Sequence, residues 1–270
     1  MWVDCRVFWL QKSGLDASEY EDAYAPHETC EVETTEFCCA VADGATETSF
    51  SGLWANILVD GYVDGVESLS DMQARWLAQV SGKNLPWYAE QKLESGAYAA
   101  LVGLTIRSNG ADEGPLLSWS AKAVGDSCLF HTRKTELLRA FPLDHWELFN
   151  NAPVLLPSRP IDNGGIAKQA VISDGSCVSG DVFYLMSDAI SNWFLRRCAE
   201  KQDGIELLEG LSTQQDFERL VAGERVIKDQ QGSMYMPNDD VTFMRVAVAD
   251  AGPQYPAVSR NGRTSLTIID

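Results

Sequence analysis

Apolar residues recur along the chain with two different periods, which predict strands and helices. Residues 3–10 alternate loosely between apolar and polar, and residues 36–42 form a continuous apolar run that ends at Asp43-Gly44; both predict strands. Residues 51–63 and 70–80 place apolar side chains at helical spacing, and Ser70 is the expected N-cap of the second helix. A third helix is expected to start after Pro86 and to run to about Ser95.

The strand pattern returns after Gly96. Residues 97–106, 116–124, 127–131, 167–173 and 181–187 predict strands, with turns at residues 109–114 and at Asp174-Gly175. Two more helices are predicted over residues 188–200 and 213–221, followed by a closing strand over residues 241–249. Helices that come in pairs between series of strands indicate an α+β fold, with antiparallel sheets covered by helix pairs.

Two segments lack either period. Residues 141–165 contain several prolines and predict a long surface segment, and residues 253–270 predict a polar tail outside the core. The 270 residues, 45% of them apolar, suffice for one large domain or two small ones. No apolar stretch is long enough to cross a bilayer, and the first residues do not resemble a secretory signal, so we expect a cytosolic protein.

The charge of the chain limits its partners. It carries 21 basic and 39 acidic residues, a formal net charge of −18, which argues against binding to nucleic acid or to anionic membranes. The same charge repels phosphoproteins unless bound cations neutralise the binding site. Seven cysteines show no zinc-ribbon or redox spacing, and three histidines are too few for a histidine-rich zinc site. Any metal ion should therefore have oxygen ligands, which favours Mg²⁺ or Mn²⁺.

Five acidic residues lie where a strand-like run gives way to a turn. A carboxylate at a strand end lies on the rim of a rigid core, and five such residues could converge on one site for a hard cation. Each one alone is also compatible with an ordinary turn or helix cap. The five residues are Asp22, Asp43, Asp126, Asp188 and Asp239.

These residues belong to an ordered set of short motifs. The motifs are Glu21-Asp22, Val41-Ala42-Asp43-Gly44, Gly96-Ala97-Tyr98-Ala99, Val124-Gly125-Asp126-Ser127, Leu185-Met186-Ser187-Asp188 and Asp239-Asp240-Val241-Thr242. Their order resembles that of the metal-dependent protein phosphatases of type 2C, the PPM family, as in a divergent bacterial-type member. The resemblance implies a four-layer αββα sandwich of two antiparallel sheets flanked by helix pairs. It also implies a phosphatase domain over residues 1–252 and a tail over residues 253–270.

The resemblance further implies roles for the acidic residues. Asp43 would bridge two Mn²⁺ or Mg²⁺ ions, and the carbonyl group of Gly44 would bind one of them. Asp188 and Asp239 would complete the shell of the other ion. Asp22, with Glu21, would lie near the second ion through water.

Asp126 would hold a third, weaker ion together with Asp188. Two ions that share a carboxylate can activate a water molecule as the nucleophile, so no catalytic side chain is expected. The implied activity is hydrolysis of phosphoserine and phosphothreonine in a phosphoprotein substrate, with a serine/threonine kinase as the opposing enzyme in signalling.

The chain departs from the family pattern near the expected phosphate-binding side. Ala17 stands where the family has an arginine, and residues 45–50 replace a run of glycines and a histidine. Lys12 or Arg6 could supply positive charge instead. Ala189 replaces a glycine and Asp240 replaces an asparagine. Two alternatives follow: a catalytically silent phosphatase-like binding or regulatory module, and a phosphoesterase that acts on small molecules.

Overall fold

A computed structural model describes most of the chain. The described ranges are residues 1–45, 50–66, 68–82, 93–109, 117–150, 152–160, 165–166, 169–229 and 232–252. The expected tail, most of the third predicted helix, residues 46–49 of the altered loop and residues 110–114 of the predicted 109–114 turn lie outside them.

Within these ranges the chain forms strands and helices in a mixed order. The strands are β1 (Trp2–Leu10), β2 (Ala23–Ala25), β3 (Cys30–Glu33), β4 (Glu36–Gly44), β5 (Tyr98–Ser108), β6 (Leu117–Val124), β7 (Cys128–Arg133), β8 (Glu136–Phe141), β9 (Leu156–Pro157), β10 (Val171–Cys177), β11 (Asp181–Met186) and β12 (Val241–Ala249). The α-helices are α1 (Ser51–Val63), α2 (Leu69–Val80), α3 (Asp188–Ala199), α4 (Gly204–Glu209) and α5 (Gln214–Glu224). Short 3₁₀ turns span Ala17–Glu19 and Trp146–Leu148.

The strands form two antiparallel sheets that pack face to face. The first sheet has the order β3-β1-β12-β11-β7-β8, and the second has the order β10-β6-β5-β4-β2 with β9 paired to β5. The inner faces share one apolar core, in which Val41 and Leu104 of the second sheet meet Leu185 and Met244 of the first. Burial of these side chains holds the two sheets together.

Helices cover the outer face of each sheet. Trp54 and Leu58 of α1 are fully buried in a core that α1 and α2 share with the second sheet. Trp193 of α3 and Phe217 of α5 are buried against the first sheet. The molecule is therefore a four-layer α+β sandwich, which confirms the predicted fold. In the described ranges every helix is too short or too polar to span a bilayer.

Several predicted elements were wrong in detail. The strand predicted over residues 167–173 is β10, which begins at Val171 and continues through Asp174-Gly175, so these two residues do not form a turn. The N-cap of α2 is Ser68, whose hydroxyl accepts a hydrogen bond from the N–H of Asp71 at 3.2 Å, not Ser70. The short elements β2, β3, β8, β9 and α4 were not predicted, and β9 and the second 3₁₀ turn lie in the segment expected to be irregular.

The topology explains why distant residues meet. Because β4 is antiparallel to β2 and β5, the end of β4, the start of β2 and the end of β6 lie at the same end of the second sheet. In the first sheet the end of β11 lies beside the starts of β12 and β7. These are the strand ends that carry the five acidic residues.

Candidate metal centre

Five carboxylates from separate elements converge at one end of the sandwich. Asp43 ends β4, Asp188 begins α3 directly after β11, and Asp239 precedes β12. Asp22 precedes β2, and Asp126 lies in the turn between β6 and β7. We call this set the acidic rim. Its members had been predicted to lie together, and the structure places them so.

Burial raises the pKa values of Asp43, Asp188 and Asp126, and repulsion between carboxylates adds to the effect at Asp43 and Asp188. Burial, followed by the charges of Asp188, Asp22, Asp126 and Asp239, raises the pKa of Asp43 well above its usual range. Burial and the charges of Asp126 and Asp239 raise the pKa of Asp188 to about 7. Burial also raises the pKa of Asp126 to about 6. The influence of all four other carboxylates on Asp43 makes it the electrostatic centre of the rim.

Asp43 and Asp188 are also in direct contact. The backbone N–H of Asp188 donates to Oδ2 of Asp43 at 3.5 Å, and the N–H of Ala189 donates to Oδ1 of Asp188. Both donors belong to the first turn of α3, where backbone N–H groups lack helical partners and favour negative charge. The start of α3 therefore positions two carboxylates that come from opposite sheets.

Asp22 is the most deeply buried carboxylate of the rim, with 3% of its surface exposed. The hydroxyl of Thr242 donates to Oδ2 of Asp22 at 2.7 Å. Burial and the charges of Asp240 and Asp188 raise the pKa of Asp22, while hydrogen bonds from Thr242 and Ser187 lower it. The structure thus places Asp22 on the buried side of the rim, where hydroxyl groups hold it.

Close packing of the backbone at the end of β4 requires glycine at position 44. A Cβ atom on Gly44 would lie 2.5 Å from the carbonyl oxygen of Glu21 and 3.0 Å from the carbonyl carbon of Ser51. The N–H of Ala45 donates to the carbonyl oxygen of Tyr98 at 2.9 Å and so extends the pairing of β4 with β5. Only glycine lets the end of β4 pass this close to the segment that carries Asp22.

Asp240, next to Asp239, has a different role. Its two carboxylate oxygens accept hydrogen bonds from the N–H of Lys12 at 2.8 Å and from the N–H of Glu21 at 2.7 Å. The residue ties the segment after β1 to the start of β12. The motif comparison had noted Asp240 only as a departure from asparagine.

Arg225 was not predicted as part of this region. It lies at the C-terminal end of α5 with 8% of its surface exposed. One guanidinium nitrogen donates to the carbonyl of Gln11 at 3.2 Å and to Oγ of Ser13 at 3.3 Å, and the other donates to the carbonyl of Asp239. A lone arginine after a helical pattern carries no sequence signal for such a contact, because the contact depends on how α5 packs.

The expected phosphate-binding side has little positive charge. Ala17 is exposed in the first 3₁₀ turn. Nζ of Lys12 lies 3.7 Å from Oδ1 of Asp239, so Lys12 is at the acidic rim. Nε of Arg6 bonds to Asp4 at 3.2 Å in the middle of β1, away from the strand ends. Of the two candidate replacements, the contacts favour Lys12.

The ligand types at the rim suit a hard divalent cation. Carboxylate and carbonyl oxygens are the ligands that Mg²⁺ and Mn²⁺ prefer. Among the described residues no three histidine, cysteine or carboxylate side chains are grouped so that they could hold one ion together. Mg²⁺ commonly takes only one or two protein carboxylates and keeps several waters, so the rim fits an ion of this kind without a closed cage.

Comparisons with known proteins give results for the fold alone. No protein-family model and no curated protein sequence matches the chain. Among solved structures, the Mycobacterium tuberculosis serine/threonine phosphatase PstP/Ppp is similar with a TM-score of 0.56 and 13% identity, over 92% of this chain and 100% of that chain. A bacterial serine phosphatase is similar with a TM-score of 0.54 and 13% identity, over 92% of this chain and 99% of that chain. The catalytic domain of PstP in complex with 2 manganese ions is similar with a TM-score of 0.52 and 16% identity, over 92% of this chain and 100% of that chain.

The chain therefore has the fold of the type 2C, or PPM, serine/threonine phosphatases, which confirms the resemblance drawn from its motifs. Because the sequence identities are so low, the likeness extends to the fold and not to any individual residue or substrate.

Proposed function

We propose that this protein is a metal-dependent phosphoprotein phosphatase that acts on phosphoserine and phosphothreonine. The observation that carries the proposal is the convergence of five carboxylates from separate elements around Asp43. The shared fold supports it, as does the pair of manganese ions in the PstP structure. In the proposed centre Asp43, Gly44, Asp188 and Asp239 bind two Mn²⁺ or Mg²⁺ ions, Asp22 lies near the second ion, and Asp126 contributes to a third.

When bound, two such ions supply Lewis acidity and a water nucleophile of lowered pKa for attack on the phosphoester. The residues of the chain hold the ligands in place. The first turn of α3 orients Asp43 and Asp188, and Asp240 fixes the segment that carries Asp22. No side chain acts as the nucleophile. Binding of cations also offsets the net charge of −18, which would otherwise repel a phosphoprotein.

The finer expectations remain predictions. These are a cytosolic location, a phosphoprotein substrate and an opposing serine/threonine kinase. The fold and the acidic rim support hydrolysis of a phosphoester more directly than they support any of these three.

Phosphatase activity is tested on an aryl phosphate and on a phosphoserine peptide, with Mn²⁺, Mg²⁺ or a chelator. We expect turnover only with metal, and we expect Asp43→Asn to lower it more than about 100-fold, beyond the usual effect of changing an outer-sphere residue. Asp174→Asn is the matched control, because Asp174 is exposed on β10 away from the strand ends of the rim. Equal activity of wild type and Asp43→Asn would refute the proposal.

A silent binding module is the second candidate, and the exposed Ala17 in place of an arginine favours it. Calorimetric titration with Mn²⁺, read together with the turnover assays, separates the silent module from the enzyme. A silent module would bind Mn²⁺, lose binding in Asp43→Asn and still turn over neither substrate. A small-molecule phosphoesterase would hydrolyse the aryl phosphate and leave the phosphopeptide intact.

A further inference from the structure

Two cysteines outside the acidic rim face each other across neighbouring strands. Cys5 in β1 is the direct antiparallel partner of Cys30 in β3, at the end of the paired segment. Cys5 is fully buried in the core between the sheets, and Cys30 is partly exposed and packs against that core. Spacing along the sequence did not suggest a redox pair, because 24 residues separate the two and only the strand register brings them together.

The register suits a disulfide bond. Directly paired residues in antiparallel strands have Cα atoms about 4.5–5.5 Å apart. Natural disulfides span Cα distances of about 4.4–6.8 Å. Because Cys5 and Cys30 are directly paired, their side chains lie on the same face of the sheet, close enough for each thiol to shift the pKa of the other. The strand pairing therefore already provides a Cα separation in the range that a disulfide needs.

The two thiols differ in reactivity. The hydrogen bond from Cys5 lowers the pKa of Cys30 to about 7, against the opposing effects of burial and of Asp4. The same hydrogen bond, followed by burial, raises the pKa of Cys5. Since the thiolate is the nucleophile, Cys30 is the thiol that reacts first and Cys5 is the one that follows.

We propose that Cys30 and Cys5 form a peroxide-reactive dithiol that closes to a reversible disulfide. The Cys30 thiolate attacks hydrogen peroxide, forms a sulfenic acid and releases hydroxide. The Cys5 sulfur then attacks the sulfenic sulfur, an S–S bond forms, and the hydroxyl group leaves with the Cys5 proton as water. Two thiol sulfurs are thereby oxidised by two electrons in total, and the peroxide is reduced.

Closure has a consequence for the rest of the chain. The new covalent loop runs from Cys5 to Cys30 and contains Lys12, Glu21 and Asp22. A cross-link removes conformational freedom mainly from the unfolded chain, so the disulfide should stabilise the folded state against unfolding. Oxidation would therefore make opening of the segment that carries Asp22 rarer, whether or not the protein is a phosphatase.

The experiment treats the full chain with a small excess of hydrogen peroxide and maps disulfides by mass spectrometry without reduction. We expect a peptide linked through Cys5 and Cys30, a fall in titratable thiols of the denatured chain from the seven of the sequence to five, and full recovery with dithiothreitol. Amide hydrogen exchange over residues 11–29 should slow in the oxidised form. Mapping on the wild type decides the matter even where a variant fails to fold.

Two variants test the order in which the two thiols react. In Cys5→Ser we expect Cys30 to stop at a sulfenic acid that dimedone traps, and in Cys30→Ser we expect no disulfide. Cys198→Ser is the control, because Cys198 is also partly exposed but burial raises its pKa to about 11; it should leave the disulfide unchanged. Oxidation of Cys198 before Cys30, or a disulfide that joins Cys5 to any other cysteine, would overturn the proposal.

Discussion

Asp239 and Asp240 are neighbours in sequence with opposite surroundings. The Asp239 side chain is 41% exposed at the rim, where its nearest cation is Lys12. Asp240 is buried and accepts two backbone hydrogen bonds, from Lys12 and Glu21. The first arrangement suits a group that binds a ligand, and the second suits a group that holds the backbone.

We predict that Asp239→Asn and Asp240→Asn separate these two tasks. Asparagine at position 240 keeps one acceptor oxygen, so one of the two charge-assisted hydrogen bonds is lost. Removing the negative charge also weakens the repulsion of Asp22, which offsets part of the lost stability. The free energy of unfolding should fall by about 1.5 kcal/mol, the low end for such a bond. Asparagine at position 239 keeps an acceptor in an exposed place, so its effect on stability should stay within about 0.5 kcal/mol.

Urea unfolding of the metal-free protein measures both variants, and Mn²⁺ titration measures their affinity for the ion. Asp239→Asn should lose affinity with little change in stability. The interpretation fails if Asp239→Asn proves the more destabilising of the two, or if Asp240→Asn unfolds at the same urea concentration as the wild type.

At the level of elements, the sequence predicted those that are long and periodic. β1, β4, α1, α3, α5 and β12 were predicted to within a few residues, because their apolar faces repeat over two turns or more of helix or over several strand residues. β2, β3 and β9 have two to four residues, too few for a period to show. Their place is decided by pairing with neighbouring strands.

The error at Asp174-Gly175 has a packing explanation. A Cβ atom on Gly175 would lie 3.0 Å from ring atoms of Trp119, its partner across the strands. This glycine therefore makes room for an indole ring inside a paired strand. Composition alone does not distinguish such a glycine from one in a turn.

Gly103 offers a test of how α1 packs on the second sheet. It lies in β5, and a Cβ atom there would come 2.3 Å from the ring of Tyr62 on α1. We predict that Gly103→Ala lowers the free energy of unfolding by about 1–3 kcal/mol, since the helix or the ring must move. Adding Tyr62→Leu should recover part of the loss, because the collision is with the ring.

Gly223→Ala is the matched control for this change. Gly223 lies in α5, and a Cβ atom there meets nothing within 4 Å. The control should be neutral or stabilise the helix by about 0.5–1 kcal/mol. Thermal unfolding of the three variants is the measurement, and a stable Gly103→Ala would mean that α1 does not lie tightly on β5.

For the whole molecule, the positions of the acidic rim were predictable and its supports were not. Asp22, Asp43, Asp126, Asp188 and Asp239 each follow or precede a strand-like run, so a shared sheet end brings them together. Arg225 joins the region only through the packing of α5, and the contacts of Thr242 with Asp22 and of Lys12 with Asp239 also depend on packing, although the sequence had named Lys12 as a candidate and placed Thr242 in a motif. Arginine is a common residue type, and no spacing in the sequence marks Arg225.

The clustering of like charges at one end predicts how the metal-free protein responds to cations. An ion that binds to the folded state and not to the unfolded state stabilises the folded state. The stabilisation is about 2.7 kcal/mol when the ion concentration is 100 times its dissociation constant. We therefore expect Mn²⁺ to raise the midpoint of thermal unfolding well beyond NaCl at equal ionic strength, which only screens the net charge of −18. Asp43→Asn should respond to both salts alike, and Asp174→Asn should respond as the wild type does. Equal shifts of the wild type in the two salts would mean that the acidic rim binds no ion specifically and is stabilised by screening alone.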